Sequence, residues 1–151
     1  MENDSDVVSG ADKGPLRNVV FVDPCVITGH MGVANGTNTV FYFVGNCNDA
    51  ITQMLELGSG LDAVAATPIV AQGGWDMERC YEYPGLELIR QFGERFKTVL
   101  WTHFAGLSDD KIAAKAAKAG VDYVKLSDGD PSLSALQVLD DALFGEEREV
   151  A

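Results

Sequence analysis

Five short apolar runs dominate the middle of the chain and limit what it can fold into: NVVFVD (18–23), TVFYFV (39–44), LDAVAA (61–66), KTVLWTH (97–103) and VDYVKL (121–126). Each is nearly continuous in apolar character instead of alternating with polar residues. That pattern predicts strands covered on both faces, as in a parallel sheet flanked by helices. Helical patterns separate the later runs. In NDAITQMLELGSG, Asn48 is placed to cap, Ile51, Met54 and Leu55 share a face, and Gly58 or Gly60 ends the helix. PGLELIRQFGERF puts Leu86, Ile89 and Phe92 on one side. SDDKIAAKAAKAG opens on Ser108 and two acids and closes on lysines and Gly120, which suits the helix dipole at both ends. DPSLSALQVLDDAL starts with Asp130 as cap and Pro131 at the first helical position, with Leu133, Leu136, Leu139 or Asp140, and Leu143 as its stripe.

Alternation of strands and helices specifies an α/β doubly wound sheet with right-handed crossovers. The chain has 151 residues, enough for one core that buries about 70% of the unfolded surface. The expected organisation is a flexible N-terminal tail (1–17), one domain (18–145) and a C-terminal tail (146–151). The first connection, residues 24–38, is rich in glycine and has room for only a short helix or none. Ligand sites in such sheets lie beyond the carboxyl ends of the strands. Attention therefore falls on Asp23 to Gly36, Thr67 to Pro84, Thr102 to Gly106, and Lys125 to Asp128.

Composition narrows the function. A formal charge of −12 repels phosphate backbones and disfavours nucleic acid as a partner. No apolar run approaches the roughly 20 residues of a membrane helix, and the acidic start MENDSDVVSG is unlike a signal peptide. A cytoplasmic protein without membrane contact is expected. Cys25, Cys47 and Cys80 are too scattered for a disulfide framework or a CxxC metal site, so reduced thiols, no metal and no cofactor are expected.

The order of elements, together with LDAVAAT, YPGLELIRQF, KTVLWTHFAG and AGVDYVKL, resembles the receiver domain of bacterial two-component response regulators. The likeness spans roughly residues 18–145. It implies a flavodoxin-like fold with five parallel strands in the order 2-1-3-4-5. It also implies a site made of two acids after strand one, a phosphoacceptor aspartate after strand three, a hydroxyl residue after strand four and a lysine on strand five. Carried onto this chain, Asp23 takes the first acid position, Pro24 the second, Thr67 the acceptor position and Thr102 the hydroxyl position. Lys125 takes the lysine position once the preceding junction is shortened; an ungapped alignment puts Ser127 there. Such a pocket is degenerate. One acid holds Mg²⁺ poorly, since that ion needs carboxylate and phosphate oxygens. An acyl phosphate requires a carboxylate nucleophile, which Thr67 lacks.

Plainer readings stand beside these. Asp23 also reads as a strand-end acid capping the next loop, Thr67 as an extended residue before Pro68, and Cys25 as a small buried hydrophobe. The segment PIVAQGGWDMERCYEYPG is about ten residues longer than receivers carry there by the same likeness, and long loops at the mouth of a site are commonly functional. Trp75, Tyr81 and Tyr83 are candidates for a lid or docking loop, while Asp76, Glu78 and Glu82 could return carboxylate charge to the pocket. GHMGVANG matches no nucleotide-binding fingerprint and reads as turns.

The expected function is a non-enzymatic, phosphorylation-independent pseudo-receiver in a bacterial signal transduction pathway. Its partner would be another signalling protein, whether kinase, regulator or scaffold, or a second copy in a homodimer. By the same likeness, the docking face would run from helix 109–119 through strand 121–126 to helix 131–143, with Ala113, Ala117 and Tyr123 on it. The alternatives are a small-molecule or nucleotide sensor at the C-terminal edge of the sheet, and an enzyme built on Cys25 and His103.

Overall fold

The computed structural model describes residues 16–34, 36–102, 109–126 and 134–150. Six strands form one sheet: β1 (Arg17–Val22), β2 (Met31–Val33), β3 (Thr39–Val44), β4 (Leu61–Ala66), β5 (Lys97–Thr102) and β6 (Tyr123–Lys125). Between and after them lie α1 (Cys47–Leu57), α2 (Pro84–Phe92), α3 (Asp109–Ala119) and α4 (Ala135–Val150). The sheet order is β2-β3-β1-β4-β5-β6. All pairs but one are parallel. Without β2, this is the expected 2-1-3-4-5 order.

The departure is β2. It pairs antiparallel with β3, Gly32 opposite Phe41, in the connection expected to hold a short helix or none. Gly29 at φ 101° and Gly36 at φ 76° lie on either side of it, in backbone conformations that other residues adopt only with strain. A continuous helix could not pass through those positions.

Side chains alternate across the strands and build two core layers. Val20, Val22, Val64, Ala66 and Leu100 face one way, against Met54 of α1, Leu86, Leu88 and Ile89 of α2, and Ile112 and Ala116 of α3. Val19, Phe21, Ala63, Ala65, Val99 and Trp101 face the other way, where Leu139, Leu143 and Phe144 of α4 cover them. Among the described residues, three helices thus close one face and a single helix the other. Aromatic rings supply bulk on that thinner side. Phe21 stacks on Trp101 at 4.9 Å and meets Phe43 and Phe41 edge-on at 5.2 and 6.1 Å. Gly32 lets β2 lie beneath them, since a Cβ there would come within 2.8 Å of Phe43 and 3.0 Å of Leu136.

Polar contacts fix α4 against this layer. The buried Thr39 hydroxyl donates to the buried Asp140 carboxylate. Lys97 Nζ donates to the Leu143 carbonyl at 3.1 Å. Arg17 and Lys97 lie 5.0 and 5.4 Å from the centre of the Phe144 ring, within cation–π range.

Several boundaries differ from those expected. The cap of α1 is Asn46, not Asn48: Asn46 is extended and its side chain accepts from Asp49 N at 2.8 Å. Ser134 and Gln137 exchange side-chain and backbone bonds at the start of α4, a capping box; Asp130 and Pro131, expected to open that helix, lie outside the described residues. The helix then runs to Val150, through residues assigned above to a C-terminal tail. At the end of α3, Gly120 N donates to Ala117 O and Val121 N to Ala116 O, a Schellman motif with Gly120 at φ 73°. That cap engages the Val121 amide, so β6 starts at Tyr123 instead of residue 121. The expected N-terminal tail falls mostly outside the described residues.

Because Phe21 is the hub of the thinner layer, Phe21→Ala should destabilise the fold by about 3–5 kcal/mol. Leu55→Ala, at a side chain 77% exposed, should shift stability by no more than about 0.5 kcal/mol. Urea unfolding of the two variants measures the contrast.

Candidate functional site

Strands β1, β4, β5 and β6 lie side by side, so Asp23, Thr67, Thr102 and Lys125 fall in a row along the C-terminal edge of the sheet. Thr67 N donates to Val22 O at 3.1 Å and Asp23 N to Val44 O at 3.0 Å, which carries the ladder one residue beyond β4 and β1. Thr102 and Lys125 are direct register partners at the ends of β5 and β6.

Asp23 is 6% exposed. Its Oδ1 accepts from Cys25 N at 3.0 Å and its carbonyl from Val26 N at 3.2 Å, so this acid closes the turn that follows β1. Pro24 sits exposed in that turn. Cys25 is exposed, which overturns its reading as a buried hydrophobe. Cys47 is the buried thiol, and burial pushes its pKa up to about 12. His103 and Ser127 lie outside the described residues.

Thr67 is held from behind. The Thr67 Oγ1 atom is buried and has no hydrogen-bond partner among the described residues. Gly85, in the first turn of α2, lies so close that a Cβ would sit 1.7 Å from the Thr67 carbonyl oxygen. Gly85 N donates to Pro68 O at 3.0 Å. Glycine is therefore required where α2 rests on the strand end.

The long segment from Pro68 to Tyr83 folds around one side chain. Gln72 Nε2 donates to the carbonyls of Trp75, Asp76 and Arg79 at 3.0, 3.3 and 3.1 Å, and its Oε1 accepts from Tyr81 N at 3.3 Å. Trp75 stacks on Tyr81 with ring centres 5.6 Å apart. The Tyr81 hydroxyl donates to Asp76, whose carboxylate raises the phenol pKa above its ordinary value. Asp76 itself sits at φ 50°. Tyr83 is buried at the start of α2 and belongs to the core, with Lys115 Nζ 5.6 Å from its ring.

Both ends of this loop are anchored. Cys47 N and Asn48 N, at the start of α1, donate to Ala71 O and Gln72 O at 2.9 and 3.0 Å. Gly73 packs on the Asn46 side chain so tightly that a Cβ would lie 2.3 Å from its Oδ1. At the far end Glu82 pairs with Lys111 and with Lys115, the latter at 3.0 Å, tying the loop to α3. These two lysines hold the Glu82 carboxyl below its ordinary pKa. Glu78 is exposed. The turn after β1 is tied to the same region, because Thr28 Oγ1 donates to Asp49 at 2.9 Å and accepts from Gly45 N at 2.9 Å.

Of the expected interaction face, Ala117 is exposed, Ala113 half-buried, and Tyr123 partly buried against the core. Ile112 and Ala116 take the inward side of α3. Among the described residues, no group of three or more His, Cys, Asp or Glu is placed to hold a metal ion. No helix among them is long and apolar enough to cross a membrane.

The organising roles of Asn46, Asp49, Gln72 and Glu82 were not apparent from the sequence. Asn46 and Asp49 do carry the spacing of a capping pair. Gln72 has no comparable signal, since its partners are mostly backbone carbonyls of a loop.

Solved structures share this fold. A response regulator receiver domain protein from Clostridium thermocellum matches with a TM-score of 0.55 and 12% identity, over 90% of this chain and 100% of that one. The signal receiver domain of an HD domain-containing protein from Pseudomonas fluorescens Pf-5 matches with a TM-score of 0.51 and 11% identity, over 89% of this chain and 98% of that one. The chain thus has a receiver-like fold. No protein-family model and no curated protein matches it.

Gln72→Ala should leave the global unfolding midpoint nearly unchanged while accelerating amide hydrogen exchange at Tyr81, whose N–H loses its acceptor. Glu82 yields a pH prediction. Its pKa is lowered in the folded state, so its contribution is present above the ordinary value of 4.5 and is lost as pH falls through the lowered folded value. Glu82→Gln should lower the melting temperature slightly at neutral pH and match the parent in strong acid.

Proposed function

We propose that this chain is a receiver-fold signalling module that works by binding another protein and not by accepting a phosphoryl group. The observation that carries this reading is the residue at the end of β4. Thr67 has a hydroxyl where a receiver's chemistry needs a carboxylate, and that oxygen is buried, with Gly85 packed against the carbonyl of the same residue. A threonine hydroxyl becomes a nucleophile only when a base activates it, and Thr67 Oγ1 has no hydrogen-bond partner among the described residues. Asp23, the neighbouring acid, closes a turn, and Pro24 beside it has no charge.

Recognition then falls to surfaces. The outer side of α3, with Ala117 exposed and Ala113 half-buried, has small side chains that allow close approach by a partner, and Tyr123 lies on the adjoining strand. The loop from Pro68 to Tyr83 is anchored at both ends and presents a preformed Trp75–Tyr81 stack. Preformed surfaces lose little conformational entropy on binding. The intended partner is another signalling protein such as a kinase, regulator or scaffold.

Three measurements test the reading. Incubation with acetyl phosphate and Mg²⁺ should leave the intact mass unchanged, and beryllofluoride with Mg²⁺ should leave the melting temperature unchanged; a phosphoryl adduct on Asp23 or Thr67 would overturn the proposal. Ala113→Arg combined with Ala117→Arg should abolish capture of a partner that the parent chain retains from cell extract. Equal capture by both proteins would remove α3 as the docking face.

A further inference from the structure

We infer that the β2 edge is a self-association surface, on which a second copy of this chain adds its own β2 in antiparallel register about a two-fold axis at Gly32. The inference is independent of the phosphorylation question and concerns a different side of the molecule. In the β2–β3 ladder, Phe43 N donates to His30 O and Ala34 N to Thr39 O. With Gly32 opposite Phe41, the even-numbered residues face β3. The N–H and C=O groups of Met31 and Val33 therefore point away from the sheet, along its open edge. An edge of that kind is a template for another strand.

Among the described residues, no strand or charged side chain protects this edge. Met31 is 63% exposed, Val33 54% and Ile27 68%. Gly32 faces Phe43 and Leu136 beneath α4, so Met31 and Val33 project together on the opposite face. Residues 26–39 contain no Asp, Glu, Lys or Arg, although the whole chain has a formal charge of −12. Charge repulsion between copies of an acidic protein is therefore weakest along this stretch. An antiparallel pairing centred on Gly32 sets Met31 opposite the partner copy's Val33. Each such pair exchanges both backbone hydrogen bonds and forms an apolar cross-strand contact. The surface is self-complementary, as a two-fold interface requires. Since the strand is short, the dimer should be reversible and depend on concentration.

Sedimentation of the full chain over a wide concentration series should show a monomer–dimer equilibrium. Met31→Lys with Val33→Lys, at two exposed positions, should keep the parent melting temperature and sediment as a monomer throughout. Amide exchange at Met31 and Val33 should slow at high concentration in the parent only. A parent that stays monomeric at every concentration overturns the inference, as does a dimer that survives the double substitution or forms without protection of these two amides.

Discussion

The stack of Phe21 on Trp101 is the contact on which the architecture depends. A parallel sheet needs cover on both faces, because its strands are apolar on both sides. Here α4 is the single described helix on one face, and the rings of Phe21, Phe41, Phe43 and Trp101 provide the volume around it. Trp101 and Phe41 are fully buried. Given that layer, a glycine-rich strand suffices where another doubly wound protein would place a helix. The cost is an added antiparallel strand whose outer edge pairs with no other described strand.

The same economy shapes the C-terminal edge of the sheet. Asp23 and two threonines, Thr67 and Thr102, stand at or just past the strand ends there, and four carboxylates near this edge are engaged in structural contacts. Asp23 holds a turn, Asp49 joins Thr28 to the start of α1, Asp76 receives Tyr81, and Glu82 bridges to α3. These four carboxylates anchor loops. Loops anchored in this way are preorganised, so they lose little conformational entropy when they meet a binding partner.

Much of this was legible along the chain. The five apolar runs became the five parallel strands, and Gly120 ended α3 where a left-handed residue was needed. Leu86 and Ile89 are buried, and Phe92 packs beside them, as their spacing implied. Other features were misread for identifiable reasons. Asn46 and Asn48 are both acceptable caps in isolation, and the choice fell to Asn46 because Ala71 and Gln72 engage the next two amides. MGV is too short to register as a strand until β3 offers it a ladder. Tyr83 read as a lid aromatic but is buried beside α2, since helix packing and not polarity decides its place.

What the sequence determined alone was periodicity: which segments extend, which coil, and in what order, since side-chain spacing and turn chemistry act over a few residues. It also determined the residue types at the strand ends, and so the scarcity of carboxylates there. Only the tertiary structure decided that β2 exists, that Gln72 gathers a loop around itself, and that Gly85 must be glycine to approach Thr67. Each of these depends on groups brought together from distant parts of the chain, where packing and hydrogen-bond geometry outweigh local preference.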